Sequence, residues 1–267
     1  MKNAVAANPS DVEARLALGK LYLETGDVVA AEKELSKAQS LGAPPGRVQM
    51  PLLKALSTQG QFDKVLKETE GASDVALMTM RANALMATNK QKEAAEIFGK
   101  VLSVQPDNAE ALIGTARQAA IANDMDAAAR LTAQAVEKSP RSADAWMFKG
   151  DMARSQGKLE EAEAAYARAI EAEPAHRSAQ LELATLQIAR KKFDAAKASL
   201  AAAAKNNANS MQLVYTQALL AYEQKDFAGV RENVQKITRV APDHLPSVLL
   251  AGRPISILLP TSRLNWR

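Results

Sequence analysis

The sequence predicts an all-α, right-handed superhelical solenoid of about seven helix-turn-helix repeats. Three observations carry this. Alanine is abundant while the 267 residues hold only 12 glycines and 11 prolines, a composition that favours helix over a turn-rich β architecture. Prolines recur in register at Pro106, Pro140, Pro174 and Pro242. Small residues recur with the same spacing at Ala94, Ala128, Ala162 and Ala196, continued by Val230, and at Ala82, Ala116, Gly150, Ala184, Ala218 and Gly252. Self-similarity at one fixed period is the signature of a repeat array, in which each unit buries its apolar stripe only by stacking on a neighbour.

Those anchors place units at 12–45, 46–74, 75–108, 109–142, 143–176, 177–210 and 211–244. The second is shorter and loses residues near Glu70-Gly71. Each unit reads as two amphipathic helices. In 143–176, Trp146, Phe148 to Gly150 and Ala153 form the first stripe, Gly157 breaks the helix, and Ala162, Ala165, Tyr166 and Ala169 form the second. Glu173-Pro174 ends the unit, because proline pushes the residue before it out of the α region. The small eighth residue lets the two helices approach closely, and the alanine at the twentieth place is its expected facing partner.

The ends depart from this register. Residues 1–11, with "NAVAANPSD", read as the close of a preceding repeat, so the chain is expected to be a segment of a longer array. "LPSVLLAG" reads as the first half of an eighth first helix, giving a partial unit at 245–252. Residues 253–267 are out of pattern: Arg253-Pro254 leaves the register, and Ile255 to Leu259 is too short to span a bilayer.

The closing prolines, the small eighth and twentieth residues and the large twenty-fourth residue (Leu35, Phe98, Tyr166, Leu200) together resemble the tetratricopeptide repeat (TPR) family over about 12–252. The fullest unit is "AWMFKGDMARSQGKLEEAEAAYARAIEAEP"; Thr69, Thr132 and Val234 are smaller than usual at the twenty-fourth place. "EARLALGKLYLETGDVVAAEKELSKAQSLGA" followed by "PLLKALSTQGQFDKVLKE" is also similar to the TPR-repeat proteins of the bacterial PEP-CTERM/exosortase exopolysaccharide system. That resemblance implies an exported scaffold of the cell envelope, periplasmic and often lipid-anchored, encoded with polysaccharide-export genes. A cytoplasmic place is left open, since a chain without cysteines survives in either compartment.

The TPR resemblance implies that the first helix of each unit lines a groove for a protein or peptide. Its ninth places then carry Lys20, Lys54, Asn83, Arg117, Asp151, Thr185 and Leu219. Arg154 and Tyr222 come from the twelfth places, and Leu181 and Tyr215 from the fifth. Lys20, Lys54 and Arg117 suit a carboxylate or another anionic group, with Asn83 donating a hydrogen bond. Leu181, Tyr215, Leu219 and Tyr222 suit an apolar segment, the two tyrosines equally suiting inter-repeat core. The ordered basic set that grips acidic chaperone C-termini is not supplied by Leu16-Lys20, Met50-Lys54 and Thr79-Asn83.

Nothing in the pattern assembles a catalytic site, and no cofactor or metal is expected. The chain has no cysteine, and its histidines, His176 and His244, each end a unit and read as turn or capping residues. Glu160, Glu161 and Glu163 read as a solvated helix face. A net charge of +4 from 34 basic and 30 interspersed acidic residues does not argue for nucleic acid. Export machinery or an anionic glycan is the partner class that the finer resemblance implies; a general adaptor or assembly factor is the alternative.

Overall fold

The computed structural model describes residues 1–205 and 210–241, and divides into two compact units, Met1–Leu131 and Thr132–Arg267. Every element among the described residues is helical. The first unit contains α1 (Lys2–Ala7), α2 (Val12–Glu24), α3 (Val28–Ser40), α4 (Pro45–Thr58), α5 (Phe62–Glu68), α6 (Val75–Ala87), α7 (Gln91–Val104) and α8 (Ala109–Ile121). The division falls within α9 (Met125–Lys138). The second unit continues with α10 (Ala143–Ser155), α11 (Leu159–Ala172), α12 (Arg177–Ala189), α13 (Phe193–Ala204), α14 (Met211–Glu223) and α15 (Phe227–Val240). The expectations for 245–252 and 253–267 fall outside the described residues.

Local chemistry fixes where the helices start. Before a first helix stands a side chain that accepts a hydrogen bond from an otherwise unpaired N–H: Asp11 from Ala14 at 2.9 Å, Asp74 from Ala76 at 2.9 Å, Asn108 from Ala111 at 2.9 Å, Ser142 from Ala145 at 3.2 Å and Ser210 from Leu213 at 3.3 Å. His176 does the same for α12, its Nδ1 accepting from Ala179 at 3.1 Å, so the capping reading of that residue holds. α4 instead begins with Pro45, whose missing N–H costs nothing there. Between the helices of a pair one residue turns left-handed: Gly26, Gly60, Asn89, Asn123, Gly157, Lys191 and Lys225 all have φ between 58° and 78°. Glycine takes that conformation freely; at Lys191 and Lys225 the stacked helices impose it on a side chain that resists it.

The fourth residue of a first helix anchors the preceding turn. Arg15 Nε donates to the Pro9 carbonyl at 2.7 Å, Trp146 Nε1 to that of Pro140 at 2.9 Å, and Gln180 Nε2 to that of Pro174. Three unrelated side chains thus do one job, so residue identity conceals the repetition.

Packing within each unit is strictly between neighbours. A second helix packs between two first helices: α3 touches α2 and α4, α7 touches α6 and α8, α11 touches α10 and α12, and α13 touches α12 and α14. First helices also touch one another, α2 with α4, α4 with α6, α6 with α8 and α12 with α14. They therefore line the tighter side of the stack.

The glycines on first helices show what closes each pair. A Cβ on Gly19 would collide with Leu35, and one on Gly150 with the ring of Tyr166. The group over the small eighth residue is therefore the large twenty-fourth residue of the same pair, not the alanine expected to face it. The reason is reach: a ring or branched chain extends across to the bare backbone, and a methyl does not. Gly114 plays the same part against Phe98 from the next helix along. α4 and α5 carry the sizes reversed, buried Leu53 at the small place and buried Thr69 at the large one.

Glu163 is not a solvated helix-face residue. Its side chain is only 24% exposed and is held by Arg190 at 2.7 Å and Lys192 at 2.8 Å, while Glu160, 78% exposed, takes the other amine of Arg190. At the same register in the first unit, Glu32 accepts from Gln59 at 2.9 Å, Gln61 at 2.7 Å and Lys64 at 2.8 Å. In both places a carboxylate on a second helix is clamped by the turn of the next pair. The partners are about thirty residues away in sequence, beyond any helix-face reasoning.

Candidate functional site: the first-helix face

The groove residues expected from the sequence meet different fates. In the first unit Lys20, Lys54 and Asn83 are exposed on α2, α4 and α6. Among the described residues their side chains enter no hydrogen bond and no ion pair. Arg117 is half-buried on α8. Two depressions in this unit's surface do not include them: one lies between α3, α4 and α5, lined by residues including Glu32, Ser36, Leu56 and Lys64, and the other lies along α3, lined by residues including Val29, Lys33 and Lys37.

In the second unit two of the expected contacts belong to the core. Leu181 is 1% exposed and packs with Ala184, Ile188, Leu213 and Leu220; Tyr222 is 5% exposed and packs with Ala218, Val230 and Val234. Neither offers a surface to an apolar segment. Burial is the cheaper use of those side chains, because the stripe that would face a partner is also the stripe that closes the stack. Tyr215 and Leu219 are half-buried against the same clusters, and burial raises the Tyr215 phenol.

Asp151 and Arg154 are brought together, through a residue that sequence reasoning assigned only to packing. Tyr166 rises from α11 with its ring over Gly150, and its Oη donates to Asp151 Oδ1 at 2.8 Å. Arg154 Nε donates to the same Oη at 3.2 Å. Burial, then the adjacent Asp151 carboxylate, push the Tyr166 phenol far above its ordinary range, so the hydroxyl stays protonated and fixed as a donor. From α12, Glu182 approaches Arg154 Nε at 3.9 Å. Burial pushes the Glu182 carboxyl up, with Arg154 opposing and Asp151 adding to the rise. The Arg154 pKa is raised: burial works against its charge, and the hydrogen bond to Tyr166 with the charges of Glu182 and Asp151 outweighs it.

Sequence reasoning missed both Tyr166 as a polar link and Glu182. Glu182 sits one place past the fifth residue of its helix and follows Leu181, whose core role draws attention to the wrong neighbour. The available signal was a carboxylate flanked directly by Leu181 and Leu183 in the middle of a core-forming helix.

His176 also links two pairs. Besides capping α12, its Nε2 lies 3.1 Å from Asp144 on α10. The hydrogen bond to Asp144 raises the imidazole pKa, and burial opposes it. Among the described residues no three or more His, Asp or Glu side chains gather as a metal would require, and no helix is long and apolar enough to cross a membrane.

Comparison with known proteins agrees with this architecture. Two family models, both described as tetratricopeptide repeat, match the sequence, one over residues 79–133 and 122–177 and the other over 1–56 and 153–221. The chain belongs to the tetratricopeptide repeat family. TPR proteins are generally non-enzymatic scaffolds that bind protein or peptide partners. Among solved structures, this TPR chain is similar to yeast Tom70, with a TM-score of 0.60 and 19% identity, covering 94% of this chain and 56% of that one. It is also similar to Pseudomonas aeruginosa pilF, with a TM-score of 0.54 and 17% identity over 88% of this chain and 93% of that one. A tetratricopeptide repeat protein from Parabacteroides merdae gives 0.54 and 16% over 90% and 97%. At such identities the likeness is one of fold. No curated protein matches the sequence.

Proposed function

We propose that this TPR chain is a non-enzymatic scaffold that holds an extended segment of a partner protein against its first-helix face. The observation that carries the reading is that Lys20, Lys54 and Asn83 are exposed in one register with no side-chain hydrogen bond and no close ion pair among the described residues. Helix surfaces satisfy charges cheaply with partners three or four residues away, and Glu24 lies four residues after Lys20 without pairing to it. Exposed cations left unpaired in one register are suited to an acidic or carboxylate-bearing segment. The test is binding of acidic peptides to the full chain by calorimetry, before and after Lys20→Ala, Lys54→Ala and Arg117→Ala are combined. Loss of affinity of tenfold or more, with wild-type binding weakening as salt is raised, is the expected result. Binding unchanged by the triple substitution overturns the role of the basic residues.

The narrower reading places the scaffold in bacterial exopolysaccharide export or cell-envelope sorting, its partner being export machinery or an anionic glycan. It rests on the resemblance of residues 13–43 and 51–68 to that system. Retention of the chain on immobilised acidic glycan, or on a polysaccharide-export protein, in preference to an unrelated acidic peptide is the supporting outcome. Equal retention on all three favours a general adaptor.

A further inference from the structure

Arg154 is anchored at one end and open at the other. Its Nε is committed to Tyr166, which Asp151 holds in turn. Its terminal amines Nη1 and Nη2 make no hydrogen bond among the described residues, and the side chain is 37% exposed. The Glu182 carboxylate lies alongside, 25% exposed, with no hydrogen-bond donor closer than the Arg154 Nε at 3.9 Å. The first-helix face of the second unit thus presents a pair of solvent-accessible donors on an anchored guanidinium next to a solvent-accessible acceptor.

Charge decides what can satisfy both. A carboxylate would meet the guanidinium but also two carboxylates, Glu182 and Asp151. An ammonium would meet those carboxylates, but it has no acceptor to offer the Arg154 amines and faces the guanidinium as a like charge. A neutral group with an acceptor beside a donor satisfies both sides without repulsion, and a primary carboxamide has that form: its oxygen accepts from Arg154, and its NH2 donates to Glu182. Under-satisfied polar groups in a partly desolvated site discriminate strongly, because a ligand lacking the partner leaves them unpaired.

We propose that Arg154 and Glu182, oriented by Tyr166 and Asp151, form a subsite for the side-chain carboxamide of an asparagine or glutamine in the bound peptide. The subsite rests on the first-helix face being the peptide-binding face, and gives the second unit a specificity distinct from the cationic face of the first.

The test has two arms, chosen so that the two readings fail separately. In the first, the full chain is titrated with N-acetylglutamine methylamide, propionate and propylammonium while the Arg154 Nε–H resonance is followed by NMR. A saturable shift with the amide alone is expected. A shift only with propionate or only with propylammonium, or none with any, overturns the subsite. In the second arm, a peptide library is selected on wild type, Arg154→Met, Glu182→Met and Glu182→Gln. Wild type should enrich Asn or Gln at one position, and each Met variant should lower the affinity of such a peptide about tenfold, the size of one hydrogen bond to a charged group. Glu182→Gln keeps the shape, removes the repelling charge and supplies a donor. It should admit Asp or Glu at that position, where wild type excludes them. Peptides selected without that enrichment, or a Glu182→Gln variant with unchanged preference, overturn the subsite while leaving the groove reading intact. A saturable amide shift with no peptides selected would overturn the groove reading instead.

Discussion

Both units take an arginine on a first helix out of bulk water, and they finish it differently. In the first unit Arg15 Nε donates to the Pro9 carbonyl and Nη1 pairs with Glu34, both side chains only 11% exposed. In the second, Arg154 is tied at Nε alone, and its neighbour Glu182 stands off at 3.9 Å. The first arrangement is closed: the guanidinium fastens a turn to a helix pair. The second is half-built. Tyr166 and Asp151 hold its Nε, and its terminal amines make no hydrogen bond among the described residues. Where a buried ion pair sits says little about function; which of its hydrogen bonds remain unmade says more.

Four substitutions test that contrast and the polar links beside it. The largest effect is expected at the closed site. Arg15→Met leaves the buried Glu34 carboxylate without its ion pair, and urea denaturation should show a loss of about 3 kcal/mol. Arg154→Met, at a site more than a third exposed, should cost about 1 kcal/mol or less. Equal losses at the two positions would erase the distinction between a structural and an open arginine.

Next is the link itself. Tyr166→Phe keeps the ring over Gly150 and deletes the hydroxyl that joins Asp151 to Arg154. A loss of about 1–3 kcal/mol is expected from the two polar groups left without that partner. A variant as stable as wild type would mean that the hydroxyl contributes only solvation.

The smallest effect concerns His176. Its imidazole pKa lies above the ordinary value because of Asp144, so the charged pair contributes its stability below the ordinary imidazole pKa, less the Ala179 cap that a protonated Nδ1 no longer accepts. That contribution is lost as pH rises through the raised value. Asp144→Asn should therefore cost a few tenths of a kcal/mol at about pH 5 and nothing at about pH 9, the small size reflecting an aspartate that is 69% exposed. A cost that grows with pH would reverse the assignment.

The helix pairs and their stacking were legible in the sequence because burial repeats. Ala31, Ala94, Ala162 and Ala196 lie at one register and are all fully buried, so periodicity marked them without knowledge of any contact. The anchoring of the turns was not legible, since Arg15, Trp146 and Gln180 share a donor and a position but no chemistry that composition would group. The first-helix surface was half legible. Register correctly put Lys20, Lys54 and Asn83 on first helices, where they are exposed. It also put Leu181 and Tyr222 in that set, because position alone cannot separate a residue that faces a partner from one that faces the next pair of the stack.

The sequence by itself determined the fold class, since a fixed-period pattern of small and large residues admits one way to bury its stripes: helix pair upon helix pair. The tertiary structure alone decided which polar groups end with partners. Glu163 finds Arg190 and Lys192, Glu32 finds Gln59, Gln61 and Lys64, and Tyr166 joins Asp151 to Arg154. Hydrogen bonds depend on distances of a few tenths of an ångström and on direction. Those are set when neighbouring pairs dock, and no one-dimensional period carries them.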